Sequence, residues 1–303
     1  MADANTERFI FVAGLGYKDL LDFRQWGERL YVEDDGLRYG PRYVAERGCE
    51  SRLVAAQVLF QQFSQRQLPV RLLVSGGAMK NAREETLSKA EISTEELVLK
   101  YFIPDNAVCA LQSPLSTVKN IEAFLSYIQG RWYEFKTPPL VYLLTEGYHL
   151  PRFTLLTMLG AIKHFNPERH EAARAAAQEA WSDARAEWFP NGRRTGESSV
   201  RAALALRDAL NGFVCRIPFC VIPEASEQVI RKYLISRSKK GRSHGVRYAR
   251  SLEKDAYLTE SMLPGELNGI TDLLFGNYDE SAEGAMRRQA GRFKRLAEYE
   301  GKK

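Results

Sequence analysis

The chain is poor in cysteine and has no long apolar run, and both shortages narrow what it can be. Its four cysteines, Cys49, Cys109, Cys215 and Cys220, stand in separate apolar contexts without a C-x-x-C spacing or a histidine cluster nearby. That pattern argues against a disulfide framework or a zinc motif, and the four thiols are expected to pack as small buried hydrophobes. The longest apolar stretches, such as Leu140 to Thr145, are strand-sized and far below the roughly 20 residues that span a bilayer. Met1 to Arg8 lacks the basic start and apolar run of a secretory signal, so neither export nor a membrane anchor is expected and a cytoplasmic location is. A complete G-x-G-x-x-G, a Walker lysine motif, an H-E-x-x-H and a carboxylate cluster are also missing. No metal is expected, and no single motif names a reaction.

What is present describes a folded protein. The composition, 45% hydrophobic and 27% charged, is that of an ordinary globular chain, and 303 residues suit one large domain with an appendage, or two domains. Residues 1–222 read as a Rossmann-like α/β domain with a helical excursion at about 166–211, and 223–303 as a helical, basic region. The net charge is a modest +5, but Arg231 to Arg250 holds eight Lys or Arg and no acid. With Tyr233, His244 and Tyr248 interleaved, that window suits either a solvated helix face or a surface for a polyanion, the first being the blander and preferred reading.

Strand-sized apolar runs alternate with helical periodicity. Arg8 to Ala13 is a buried strand stopping at Gly14-Leu15-Gly16, and Arg47 to Arg66 has the spacing of a helix packed on a sheet. Val70 to Val74 is a second strand, expected to end at Ser75-Gly76-Gly77. Ser93 with Glu96 reads as the capping box of a helix. Ala107 to Leu111 is a third strand, Ser116 or Thr117 starts a helix, and Leu140 to Thr145 is a fourth strand. Glu168 to Phe189 and Glu197 to Leu210 are helices, and Phe213 to Ile222 holds one more strand. Near-continuous apolar strands alternating with helices predict a parallel sheet covered on both faces.

Parallel sheets bind ligands outside the carboxyl ends of their strands, and the candidate residues fall there. Gly14 and Gly16 suit either a plain turn or a close backbone approach to phosphate. Ser75, Gly76 and Gly77 suit an anion nest with an added hydroxyl. His149 and Arg152, three residues apart after a strand end, pair a proton carrier with an anion fork on one helix face, with Thr145 adjoining. Thr117 and Asn120, at a helix start, suit either capping or ligand contact. His164, His170 and His244 lack such company, and Trp26, Trp132, Trp181 and Trp188 are expected to anchor packing.

Three segments in order, Ile10 to Gly16, Leu72 to Gly77 and Leu144 to Arg152, resemble the YdcF/SanA/ElyC group, a bacterial family of unknown function. The middle segment resembles its strand ending in S-G-G, and Thr145-Glu146-Gly147-Tyr148-His149-Leu150-Pro151-Arg152 is similar to its T-S-x-F/Y-H-x-x-R segment. Thr117-Val118-Lys119-Asn120 is similar to its T-x-E-N helix start, with Lys119 where the family has glutamate. The resemblance spans about residues 8 to 165 and implies a Rossmann-like sheet. One cytosolic member of the family binds S-adenosylmethionine, while anchored members are linked to envelope integrity. The chain is therefore expected to be a cytosolic protein that binds a nucleotide-like or phosphorylated small molecule, S-adenosylmethionine among the candidates. Its enzymatic version is group transfer or hydrolysis with His149 as acid or base. A non-catalytic binding module is the alternative, and a nucleic-acid-associated protein the third reading.

Overall fold

The computed structural model describes residues 5–13, 31–33, 36–38, 44–80, 86–113, 117–188, 196–213, 218–237, 263–279 and 284. In chain order the elements are β1 (Arg8–Ala13), β2 (Tyr31–Glu33), β3 (Gly36–Arg38), α1 (Val44–Ser64), β4 (Val70–Lys80), β5 (Thr86–Ser88) and α2 (Lys89–Leu99). Then follow β6 (Val108–Ser113), α3 (Thr117–Arg131), β7 (Leu140–Thr145), α4 (Leu150–Phe165), α5 (His170–Trp188), α6 (Gly196–Asn211), β8 (Cys220–Ala225), α7 (Ser226–Arg237) and α8 (Leu263–Leu274).

β1, β4, β6, β7 and β8 form a five-stranded, all-parallel sheet in the spatial order β6-β4-β1-β7-β8, which is Rossmann-like. The short β5 adds an antiparallel pairing to the far end of β4. Side chains alternate across the sheet, so each strand feeds two cores. Phe9, Phe11, Leu73, Val141 and Leu143 point to one face, where α3, α4, α5, α6 and α8 supply Phe124, Phe153, Trp181, Leu206 and Ile270. Ile10, Val12, Leu72, Val74 and Leu144 point to the other, against Leu53, Leu59 and Phe63 of α1, Leu97 of α2 and Val229 of α7. Both faces being buried, the strands have no polar face to show, hence their continuous apolar reading.

Several local expectations shift. The N-cap of α2 is Ser88, whose hydroxyl accepts from Glu91 N–H at 3.3 Å, whereas Ser93 lies buried inside the helix. The last strand starts at Cys220 rather than near Phe213 and runs to Ala225, so the boundary placed at 222/223 falls inside β8. Cys109 is only half-buried and Cys220 is exposed, since β8 is an edge strand; the Cys49 side chain and Cys215 lie outside the description. Trp181 is buried as expected, but Trp132 stands out in solvent; Trp26 and the Trp188 side chain lie outside the description. Of the basic window, Arg231 to Arg237 lies in α7, and 238–250, His244 and Tyr248 included, falls outside the described residues. Among the described residues no helix is long and apolar enough to cross a membrane.

The aromatic centre of the larger core sets a measurable expectation. Phe124 of α3 is fully buried, stacked on Phe11 at 4.5 Å between centroids and meeting Phe219 edge-on at 5.5 Å. Phe124→Ala should cost about 3–5 kcal/mol in urea unfolding, the range for emptying a packed aromatic site. A loss below about 1 kcal/mol would mean that α3 does not pack on the sheet as described.

Candidate functional site

Register brings the expected strand ends to one level. Ala13 pairs with Ser75, Val12 with Leu144, and Thr145 with Ala225, so the carboxyl ends of β1, β7 and β8 share an edge with Ser75. From β1 the chain builds outward through β4 to β6, then returns to the other side of β1 for β7 and β8. That reversal puts the topological switch point between the carboxyl ends of β1 and β7, the usual ligand position in such sheets. Gly14 and Gly16, which follow β1, lie outside the described residues.

Ser75-Gly76-Gly77 is not a strand end. β4 continues through it to Lys80, with Gly76 opposite Gln112 and Gly77 opposite Ser113 in the parallel ladder. Neither glycine has a positive φ, so the backbone is extended and does not form a nest. The pair has a different use. Successive residues of a strand face opposite ways, so two glycines in a row put no side chain on either face at that level, and both are buried. Ser75 is fully buried and donates to Val12 O at 3.4 Å, tying β4 to β1.

Thr117 opens α3, and buried Asn120 one turn later accepts a hydrogen bond from Ser113 Oγ. That bond joins the end of β6 to the start of α3. Thr145 ends β7 with its side chain fully buried and its Oγ1 without a hydrogen-bond partner, as is Oγ of the adjoining Ser226.

The loop after Thr145 is held by charge from both helical layers. On one side, Arg52 of α1 donates through Nε to Glu146 Oε2 at 2.6 Å and through Nη2 to the same oxygen. Glu227, in the first turn of α7, accepts from Gly147 N–H with both carboxylate oxygens, at 3.0 and 3.1 Å. On the other side, His149 caps α4 and Arg152 lies in its first turn, as the i, i+3 spacing predicts. Both meet Glu266 of α8: His149 Nδ1 is 2.9 Å and Arg152 Nε 2.7 Å from Glu266 Oε2. The His149 ring stacks on Phe153 at 5.8 Å. Arg152 is only 3% exposed and already paired, so it is not an open anion fork.

Burial decides the protonation states. It pushes the His149 imidazole down to about 4, against the upward pull of Glu266, with Arg152 and Arg52 adding to the depression. The His149–Glu266 contact is accordingly a neutral-donor hydrogen bond near pH 7, and the ion pair belongs to Arg152 and Glu266. Glu146 moves the other way: burial raises it, Arg52 opposes, and Glu227 adds to the rise. Among the described residues no group of three His, Cys, Asp or Glu is placed to hold a metal ion.

Arg52, Glu227 and Glu266 are the residues that sequence reasoning missed. Arg52 shares a helical stripe with Ala56, Leu59 and Phe63, all buried, and Glu266 heads the buried stripe completed by Ile270 and Leu274. A charge on an apolar stripe was the available signal, since such a residue needs a buried partner. Gly269 completes the fit of α8, because a Cβ there would stand 3.0 Å from Arg152 Nη1 and 3.2 Å from Cδ.

Two expectations follow from the geometry. Arg152→Ala strands the Glu266 carboxylate in the interior and should cost about 3–5 kcal/mol, whereas Arg152→Met combined with Glu266→Leu should recover most of it, as measured by urea unfolding. A single variant as stable as the parent would show the pair to be hydrated. As to pH, the unfolded chain protonates His149 near 6.5 while the folded chain resists to about 4. This group's contribution is therefore complete above pH 6.5 and is lost as pH falls from 6.5 towards 4, at about 1.4 kcal/mol per unit. His149→Gln should flatten the stability profile in that window, and an unchanged profile would contradict the burial of a neutral imidazole.

Compared with known proteins, the chain matches no family model, no curated protein and no solved structure.

Proposed function

We propose that the protein is cytosolic and binds a nucleotide-like or phosphorylated small molecule across the carboxyl edge of its sheet, between β1 and β7, as its resemblance to the YdcF/SanA/ElyC group implies. The observation that carries this reading is the reversal of strand order at β1, with Ser75, Gly76, Thr145 and the His149 loop brought to that one edge. Such an edge gathers backbone N–H groups and helix N-termini that favour anions. Gly76 and Gly77 place no side chain beside it, and Arg152 is already paired with Glu266, so this reading assigns the anionic part of the ligand to the β1–β4 side.

S-adenosylmethionine fits the donor set in kind. It carries a carboxylate, two cationic centres and ribose hydroxyls, and the edge sets the carboxylates of Glu146 and Glu227 beside the unpartnered Oγ atoms of Thr145 and Ser226. When bound it would supply an electrophilic methyl group. In the enzymatic version, a group transfer or a hydrolysis, His149 takes a proton from the attacking group, and Glu266 steadies the imidazolium that results. The burial of His149, 7% exposed, favours the second reading, a binding module without turnover.

Mass spectrometry of small molecules released from gently denatured protein should yield a nucleotide or phosphate ester. With that ligand in hand, His149→Gln should keep affinity within a few fold while lowering turnover about a hundredfold or more if the protein is an enzyme. Unchanged turnover selects the binding module. Protein that releases nothing, and takes up neither adenine nucleotides nor S-adenosylmethionine in calorimetry, would end the proposal.

A further inference from the structure

We infer that Glu266 is a positioning residue that fixes His149 as its Nδ1–H tautomer, so that Nε2 presents a lone pair and the ligand group meeting it must be a hydrogen-bond donor. This rests on the reading that ligand occupies this edge, and it narrows the chemistry there to a hydroxyl, an amine or a water, in place of a phosphate or carboxylate oxygen.

Two groups compete for one nitrogen. Nδ1 lies 2.9 Å from Glu266 Oε2 and 3.3 Å from Arg152 Nη2. An ionised carboxylate only accepts and a guanidinium only donates, so Nδ1 satisfies the first when it carries hydrogen and the second when it does not. The shorter contact goes to the carboxylate. Glu266 is held ionised by Arg152 Nε at 2.7 Å, and a proton on Glu266 would leave that guanidinium buried without a counter-charge. A second proton on the imidazole would set two cations against one carboxylate, with Arg52 also close enough to disfavour it. The neutral Nδ1–H form satisfies the Glu266 carboxylate and keeps the Arg152–Glu266 ion pair, giving up only the longer contact from Arg152 Nη2. Nε2 then keeps its lone pair.

The fold holds this arrangement in place from both ends. Glu266 is 1% exposed, and the helix behind it is anchored by Ile270 and Leu274 in the larger core. Gln178 Nε2 of α5 donates to Leu274 O at 2.7 Å, fixing the far end of α8. The absent side chain at Gly269 lets Arg152 pass between the helices without displacing the carboxylate. Turning the ring over would exchange Nδ1 for carbon and lose the bond to Glu266, and the stack on Phe153 sets the ring plane. The carboxylate thus acts on the ligand through the histidine, in the way that outer partners orient a functional imidazole by fixing the proton on its other nitrogen.

The test is nitrogen NMR on the full chain labelled at histidine, with His149 assigned by its loss in His149→Gln. The parent should show a protonated Nδ1 and a bare Nε2 near neutral pH. Glu266→Gln should move the population towards Nε2–H, because Arg152 then becomes the donor to Nδ1. A parent signal of the Nε2–H type overturns the inference without any variant, and so does a tautomer that stays put in folded Glu266→Gln. Inorganic phosphate, raised to tens of millimolar, should leave Nε2 unprotonated; a phosphate-dependent protonation of His149 would show that the site takes an anion there. A ligand search that fails while the tautomer is as stated ends the binding proposal and leaves the role of Glu266 standing, so the two failures are distinguishable.

Discussion

The pairing of Arg52 with Glu146 is the constraint around which the edge of this molecule is organised. Both side chains lie in the interior, and moving each charge out of water costs several kcal/mol before any attraction is counted. Neither can be lost alone, because the other would remain buried and unpaired. The bond joins α1 to a residue 94 positions further along the chain, directly after β7. It therefore fixes the first helix against the strand on the far side of the point where strand order reverses. An apolar pair would bury as much surface, but it would not specify which loop meets which helix.

From that pair the remaining polar contacts follow in sequence. With Glu146 drawn towards α1, the peptide of Gly147 turns its N–H to Glu227 of α7, and the chain then enters α4 with His149 as cap. That entry sets His149 and Arg152 on the opposite face of the sheet, where α8 answers with Glu266. A loop at the end of one strand is thus gripped by an acid or a base from each helical layer. The loop is thereby fixed from both faces of the sheet, and in a packed interior such an arrangement changes by discrete steps rather than by gradual bending.

Much of the frame was legible in the sequence because it is local or periodic. Continuous apolar runs bounded by turns marked β1, β4, β6 and β7, and the three-residue spacing of His149 and Arg152 placed both at one helix start. Legibility failed where a distant partner decides the outcome. Ser75-Gly76-Gly77 has the local chemistry of a turn, yet the ladder to β6 and the added β5 hold it extended. Ser93 followed by Glu96 has the form of a cap, but the helix had already begun at Lys89, and Ser93 is spent on packing. Arg52, Glu227 and Glu266 acquire meaning only through partners far along the chain, and no spacing rule connects them. The stripes on which Arg52 and Glu266 lie identify them as charges in need of a partner without naming it.

The charge count at the edge then constrains what the site can recognise. Arg52 and Arg152 bring two positive charges, while Glu146, Glu227 and Glu266 bring up to three negative ones, and His149 is neutral. Burial and the neighbouring Glu227 push the Glu146 carboxyl up, while the Arg52 guanidinium holds it down. Among the described residues, the two arginines of the loop are each paired with a carboxylate. On the reading proposed above, an incoming phosphate or carboxylate is met by backbone N–H dipoles at the carboxyl edge of the sheet. The side chains around His149 are left to discriminate by hydrogen-bond direction, which in a desolvated site is the sharper criterion, because a mismatched donor or acceptor there has no water to turn to.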